Sequence, residues 1–123
     1  MAQQAFLRNL ARGEALFGML HGEGKFVGQS SSEIESIAAL VGGGFSGKKI
    51  MTSTAGPGLS LMGEGLGLAW MAEIPLVVVD VQRGGPATGL PTKTEQSDLY
   101  QAVFGRNADY PLVVLAAHSP GDC

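Results

Sequence analysis

Cysteine is nearly absent from this sequence, since Cys123 is the only one among 123 residues. Within these residues a disulfide framework and a metal site built from several cysteines are therefore excluded. The two histidines, His21 and His118, stand without a second ligand at metal-binding spacing, and we predict no metal site. Charged residues make up only 15% of the sequence and the net charge is −3, which argues against a nucleic-acid partner.

Long apolar runs are also lacking. None reaches the roughly 18 residues of a membrane-spanning helix, and no charged-then-apolar leader opens the sequence. We expect a soluble, cytoplasmic protein with no membrane association. Hydrophobic residues nevertheless make up 45% of the chain, which indicates a folded protein. Nineteen residues are glycine, about twice the usual frequency, which indicates close backbone packing, phosphate-binding loops or both.

Short apolar runs alternate with segments of helical spacing, and this order predicts the fold class. Strands are predicted at 25–27, 49–52, 75–80 and 111–117, and helices at 11–21, 30–41, 59–71 and 93–104. The alternation predicts a single α/β domain over residues 1–123, with a mainly parallel sheet of about four strands. Ligands bind beyond the carboxyl ends of the strands in such folds. So thin a sheet suggests a fragment, or half of a larger assembly.

Two segments at predicted strand ends carry residues suited to ligand binding. Residues 52–58 combine threonine, serine and glycine before a helix, where backbone N–H groups can approach a ligand. A tight turn with a threonine or serine cap is the alternative. In the second segment, a buried strand delivers Arg83 to a loop with three glycines and two prolines, and an arginine there can hold a carboxylate or phosphate. Alternatively, Arg83 pairs with Asp80 or Glu73.

Glu33 opens the helix after the first predicted strand. A carboxylate there is stabilised by the helix dipole, but Ser30-Ser31-Ser32-Glu33 also matches a capping box, so capping is the simpler interpretation of the local pattern. Trp70 and Met71 are interpreted as core or interface residues. Four other acidic residues are interpreted as solvent-facing side chains or helix caps, namely Glu35, Glu64, Glu73 and Asp98.

Residues 80–99 resemble the signature of the α subunit of 2-oxoacid:ferredoxin oxidoreductases, which carries the pyrimidine-binding domain of a thiamine-diphosphate enzyme. Residues 51–62 resemble the family's second signature, and residues 72–77 continue it without a gap. Weaker likenesses lie at 13–16 and 106–111. The resemblance covers residues 12–123 and is densest over 47–123. It implies a three-layer α/β/α sandwich of the thiamine-diphosphate-binding type, reduced in strand number.

The resemblance also implies roles for particular residues. In the family a glutamate hydrogen-bonds the aminopyrimidine ring and lies nine and fourteen residues before two glycines; Glu33, with Gly42 and Gly47, reproduces that spacing. Arg83 and Thr92 correspond to the residues expected to hold the substrate carboxylate. Three further residues would lie beside the cofactor pyrimidine and the subunit interface, namely Thr54, Gly56 and Gly58.

The implied activity is oxidative decarboxylation of a 2-oxoacid to an acyl-CoA, with electrons passed to ferredoxin. Thiamine diphosphate would lie between this domain and a β subunit that carries the diphosphate-binding domain. Magnesium and the iron–sulfur clusters are expected on the partner and not on this chain. Because the chain supplies only half of the cofactor site, we expect it to be inactive alone.

One departure from the family leaves alternatives open. The family's substrate-binding loop after strand one is absent here, and Gln29 runs directly into Ser30. Ser31-Ser32-Glu33-Ile34 resembles the tail of that lost loop, so Glu33 is either the cofactor glutamate or a bystander. A non-catalytic remnant that keeps only the fold and the partner surface is the alternative function. A serine enzyme using Ser53 or Ser60 is a third, disfavoured because no histidine and acid accompany either serine.

Overall fold

The computed structural model describes residues 16–21 and 24–122, which form a four-stranded sheet with helices. The strands are β1 (Leu16–His21), β2 (Gly24–Gln29), β3 (Lys49–Ala55) and β4 (Val77–Val81), in the order β2–β1–β3–β4. β1 is antiparallel to both of its neighbours, whereas β3 and β4 pair in parallel. Three strands therefore run in one direction, and the predicted α/β class with a mainly parallel sheet is confirmed.

Three helices connect or follow these strands: α1 (Glu33–Phe45), α2 (Gly58–Met71) and α3 (Ser97–Phe104). The first two lie where the apolar spacing predicts them. The third begins at Ser97 and not at Lys93, because Lys93 pairs with Gly84 and closes a loop. None of the helices among the described residues has the length and apolar character needed to cross a membrane.

The core lies between β3 and the first two helices. Ile37 and Leu40 of α1, Ile50 of β3 and Met62 of α2 are buried against one another, with Leu66, Leu76 and Val78 packed around them. The helices of residues 24–122 thus supply one helical layer of the predicted sandwich. On the opposite face of β4, Val77, Val79 and Val81 are 56%, 37% and 44% exposed.

The prediction of a helix at 11–21 is wrong for residues 16–21, which form β1; residues 11–15 lie outside the described residues. Pairing on both edges satisfies the backbone of β1, and this tertiary pairing overrides the helical spacing. His21 is aligned with Gly24, so β1 and β2 form a hairpin. The glycines at positions 22 and 24 are a sequence signal for such a hairpin.

The predicted strand at 111–117 is also wrong, because these residues have no regular secondary structure. Val113 and Leu115 are each 87% exposed. β-propensity stabilises a strand mainly through packing against a neighbouring surface, and the described part of the chain gives this segment none. Trp70 and Met71 are 47% and 78% exposed, so they are not core residues.

Candidate functional site

The predicted site residues gather where β3 and β4 end and where α1 and α2 begin. β3 ends at Ala55 and leads through a short turn into α2 at Gly58. β4 ends at Val81, two residues before Arg83. Because β3 and β4 are parallel, with Thr54 aligned with Asp80, both turns lie at the same edge of the sheet. The structure thus brings the two segments identified from the sequence side by side.

The cap of α1 is made by Ser32 and Glu35. The Ser32 hydroxyl accepts a hydrogen bond from the Glu35 N–H at 3.2 Å. The Glu35 carboxylate accepts hydrogen bonds from the Ser31 N–H and hydroxyl at 2.7 and 2.6 Å, and these bonds lower the pKa of Glu35 below its ordinary value. The interpretation of Ser30 and Glu33 as the capping pair is therefore wrong by two residues, and the Glu33 carboxylate is not used in the cap.

Glu33 instead faces the turn between β3 and α2. A Cβ atom placed on Gly58 would overlap the Thr54 hydroxyl and lie 2.8 Å from Glu33 Oε1, so both side chains pack directly against this buried glycine. Thr54 is 3% exposed and its hydroxyl has no hydrogen-bond partner. A carboxylate and an unsatisfied hydroxyl therefore come together against Gly58, which suits a ligand with hydrogen-bonding groups.

Arg83 packs against the same turn from the other side. A Cβ on Gly56 would lie 3.0 to 3.3 Å from Cγ, Nε and Cζ of Arg83, and Gly56 also has a φ of +55° that favours glycine. The guanidinium donates from Nη1 to the Ala87 carbonyl at 3.1 Å, and more weakly to the carbonyls of Gly84 and Thr88 at 3.4 Å. Arg83 is thus held by its own loop, whereas the alternative predicted a carboxylate partner.

Thr92 lies at the far side of that loop, and its side chain is exposed. The Gly84 N–H donates to the Lys93 carbonyl at 2.8 Å, which joins the residues that directly follow Arg83 and Thr92. Bonds from the Leu90 N–H to Gly84 and from the Lys93 N–H to Leu90 complete this neck at 3.2 and 3.0 Å. The loop is therefore closed at its base, with Arg83 and Thr92 on its two sides.

Two acidic residues beside this site were not predicted from the sequence to be shielded from solvent. Asp98, interpreted as solvent-facing or a cap, is only 8% exposed, and one carboxyl oxygen each of Asp98 and Asp80 is buried without a hydrogen-bond partner. Burial, followed by the charge of Asp98, raises the pKa of Asp80 to about 7, and the charge of Arg83 opposes the rise. The position of Asp80 near the carboxyl end of a predicted strand could have marked it as a site residue. Asp98 gave no such signal, because an acidic residue in the first turn of a helix is usually a cap or faces solvent.

A cavity in the described part of the chain lies elsewhere. It has a volume of about 320 Å³ and is lined by residues between Val103 and Pro111, including Arg106 and Tyr110, and by none of the predicted site residues. Arg106 stacks over the Tyr110 ring at 5.1 Å and donates to the Ala102 carbonyl. In the described part of the chain, no group of three or more acidic, histidine or cysteine side chains is arranged to hold a metal ion.

Comparison with known proteins gives a consistent match. Residues 8–123 match the family described as pyruvate flavodoxin/ferredoxin oxidoreductase, thiamine diP-bdg. The chain is 58% identical over 95 residues to the 2-oxoglutarate oxidoreductase subunit KorA of Mycobacterium tuberculosis, covering 77% of this chain and 14% of the relative. It is 48% identical over 106 residues to the 2-oxoglutarate synthase subunit KorA of Methanocaldococcus jannaschii, covering 86% of this chain and 29% of the relative.

A solved structure is similar as well. It is a 2-oxoglutarate:ferredoxin oxidoreductase from Magnetococcus marinus with 2-oxoglutarate, coenzyme A and succinyl-CoA bound. The TM-score is 0.64 with 60% sequence identity, over 68% of this chain and 14% of that one. The chain thus spans between about a seventh and under a third of the length of these proteins.

Proposed function

Because the chain belongs to the pyruvate flavodoxin/ferredoxin oxidoreductase family of thiamine-diphosphate-binding domains, we propose that it supplies the pyrimidine side of a thiamine diphosphate site. The full site would be completed by a β subunit with a diphosphate-binding domain. The observation that carries this proposal is that the Glu33 carboxylate and the Thr54 hydroxyl come together against Gly58.

The residues at this point fit the group. An aminopyrimidine carries ring nitrogens and an amino group, so it needs hydrogen-bonding partners at its edge. The Glu33 carboxylate beside Gly58 is one candidate partner, and the buried Thr54 hydroxyl has no partner of its own. Such an orphaned polar group is costly in a free chain and becomes favourable when a ligand satisfies it. When bound, thiamine diphosphate supplies the carbon nucleophile and the electron sink for decarboxylation.

Glu33 is proposed to hydrogen-bond a pyrimidine ring nitrogen and to hold a proton there. Its freedom from the α1 cap supports this role, since Glu35 takes the capping position. The reading of Glu33 as the tail of a lost loop gives no reason for its carboxylate to face Gly58. We therefore favour the cofactor glutamate among the two alternatives.

Arg83 and Thr92 are proposed to hold the carboxylate of a 2-oxoacid. Only one guanidinium nitrogen of Arg83, Nη1, donates to the loop, which leaves donors for an anion. The relatives named above act on 2-oxoglutarate by name, so we propose 2-oxoglutarate as the first substrate to test. The product would be an acyl-CoA, with ferredoxin as the electron acceptor of the assembled enzyme.

Calorimetry tests the half site directly. Thiamine diphosphate with magnesium is titrated into the chain alone and into a mixture with the β subunit of a close relative. We expect binding only in the mixture, weakened at least about tenfold by Glu33→Gln, which is the loss of roughly one charged hydrogen bond. Glu35→Gln is the matched control, because it lies two residues away on the same helix end and keeps an acceptor for Ser31.

Two outcomes would contradict the proposal. If Glu33→Gln and Glu35→Gln weaken thiamine diphosphate binding equally, Glu33 has no special role in holding the cofactor. No binding in the chain or in the mixture would favour the non-catalytic remnant, whose remaining role is the partner surface. If binding occurs, activity with 2-oxoglutarate compared with pyruvate identifies the substrate, and Arg83→Lys should raise KM because lysine lacks the planar fork.

A further inference from the structure

Three buried hydroxyl groups connect the start of α1 to β3. Ser30, Ser36 and Thr52 are 8%, 0% and 1% exposed. The hydroxyls of Ser30 and Ser36 lie 2.8 Å apart, and the Thr52 hydroxyl donates to Ser36 at 3.3 Å. The Ser30 hydroxyl also donates to the Ser32 carbonyl at 3.0 Å. This hydroxyl bridge, formed by Ser30, Ser36 and Thr52, therefore leads from β3 to the residue directly before Glu33.

The hydrogen bonds of the hydroxyl bridge run in one direction. Each hydroxyl carries a single proton. Ser30 gives its proton to the Ser32 carbonyl, so the bond between Ser30 and Ser36 uses the proton of Ser36. Ser36 in turn accepts from Thr52. Ser36 is thus the central member, and hydrogen bonds linked in this way strengthen one another.

The two halves of α1 are held to the sheet by different forces. Ile37 and Leu40 pack in the core against Ile50 of β3. Apolar contact of this kind is not directional. The hydroxyl bridge joins the first turn of α1 to β3, and hydrogen bonds constrain both a distance and an angle. The bridge therefore fixes where the first turn, with Glu33, lies relative to the strand.

Glu33 and Thr54 stand on the two elements that the hydroxyl bridge joins. Glu33 precedes Ser36 by three positions in α1, and Thr54 follows Thr52 by two positions in β3. Both Glu33 and Thr54 pack against Gly58. A shift of the first turn of α1 along or away from β3 would therefore change the separation of the Glu33 carboxylate and the Thr54 hydroxyl.

We propose that Ser36 is a positioning residue of the cofactor site, and that it acts through Glu33. By accepting from Thr52 and donating to Ser30, it holds the first turn of α1 at the place where the Glu33 carboxylate meets Thr54. The effect on thiamine diphosphate rests on the proposed function above, whereas the attachment of α1 to β3 does not.

Hydrogen–deuterium exchange of the chain without cofactor tests the attachment. The reporters are the Glu35 and Ser36 amides, which donate to the hydroxyl and carbonyl of Ser32 at 3.2 and 3.0 Å. Thr52→Val removes the donor of the hydroxyl bridge and leaves α1 unchanged. Protection of both amides should fall about three- to tenfold relative to the Leu40 amide, the effect of one ordinary hydrogen bond. Thr52→Ser keeps the hydroxyl and should keep the wild-type ratio.

Calorimetry of thiamine diphosphate with magnesium, in the mixture with a β subunit, tests the action through Glu33. Ser36→Ala should weaken binding about three- to tenfold. In a chain that already carries Glu33→Gln, the same change should weaken binding by less than about twofold, since residues that act as one unit are not additive. Ser46→Ala is the control, because this exposed serine bonds only the Gly43 carbonyl at the other end of α1.

Two results would overturn the inference. One is protection that falls equally at Glu35, Ser36 and Leu40 in Thr52→Val, because the hydroxyl bridge would then contribute only to global stability. The other is an equal loss of binding by Ser36→Ala with and without Glu33→Gln. If the wild-type mixture never binds the cofactor while Thr52→Val still loosens the first turn, the attachment of α1 is retained and the proposed function is rejected.

Discussion

Two threonines on one strand show how local partners decide what a residue does. Thr52 and Thr54 are both buried, at 1% and 3% exposure, and point to the same face of β3. The Thr52 hydroxyl donates to Ser36 at 3.3 Å, and Ser36 in turn bonds Ser30 at 2.8 Å. The Thr54 hydroxyl has no such partner. The hydroxyl of Thr52 is therefore satisfied within the fold, whereas the hydroxyl of Thr54 is not.

Thr54→Val should stabilise the free chain. Valine keeps the shape of threonine and removes an unsatisfied buried hydroxyl, which we expect to raise the free energy of unfolding by about 1 kcal/mol. The same change should weaken thiamine diphosphate binding in the mixture with a β subunit. Urea unfolding measures the first effect and calorimetry the second.

Thr52→Val is the control for this prediction. It leaves the Ser36 hydroxyl with one partner fewer and should lower the free energy of unfolding by about 1 kcal/mol. If Thr54→Val and Thr52→Val change the free energy of unfolding in the same direction, the unsatisfied hydroxyl of Thr54 does not destabilise the chain.

At the scale of elements, the packing of α1 on α2 depends on a glycine. A Cβ on Gly65 would lie 2.7 Å from Ile37 Cγ2 and closer still to Cγ1, and Ile37 is a buried core residue that cannot move away freely. A Cβ on Gly63, two residues earlier in α2, would meet nothing within 4 Å. Within α2, close packing on α1 therefore requires glycine at position 65 but not at position 63.

Gly65→Ala should lower the free energy of unfolding by about 1–3 kcal/mol, because the helices must separate or Ile37 must leave its rotamer. Gly63→Ala should raise it by roughly 0.5–1 kcal/mol through helix propensity alone. Urea unfolding of the two variants measures both changes. Stabilisation by both alanines would mean that α1 and α2 are not in close contact at Gly65.

The elements also show what the sequence could predict. β3, β4, α1 and α2 follow from periodicity and turn residues, because each has a clear apolar face and a defined start. β1 was not predicted in this way, because its residues show helical spacing and its strand state depends on pairing with β2, which follows in a hairpin, and with β3, which lies farther along the chain. The strand predicted at 111–117 failed for the converse reason, because an apolar run needs a surface to pair with.

The candidate site also contains residues that the sequence could predict and residues that it could not. Glu33, Thr54 and Gly58 were predicted through motif and resemblance, and the structure brings them together. Arg83 and Gly56 were predicted singly, and their contact became evident only in three dimensions. Asp98 could not be found, because its burial depends on how α3 docks and not on its neighbours in sequence.

At the scale of the whole molecule, the two shifted carboxyl groups act on stability in opposite directions. Glu35 has a lowered pKa, so its contribution is present above its ordinary value of 4.5 and is lost as pH falls. Asp80 has a pKa raised from 3.8 to about 7, so the unfolded chain releases this proton before the folded chain does. Between pH 4 and 7 the unfolded state binds fewer protons at this group, and its contribution to stability falls as pH rises.

We therefore expect the free energy of unfolding to decrease from pH 5 to pH 7 and to change little between pH 7 and 8.5. Glu35 is fully exposed and ionised throughout this range, so it leaves the trend unaltered. Urea titrations at half-unit pH intervals measure the slope. Asp98→Asn should make it shallower, because burial still raises the pKa of Asp80 while the repulsion from the Asp98 charge is gone, whereas Asp109→Asn should leave the slope in place. A free energy of unfolding that rises over this interval would mean that Asp80 is already ionised in the folded chain and that burial does not raise its pKa.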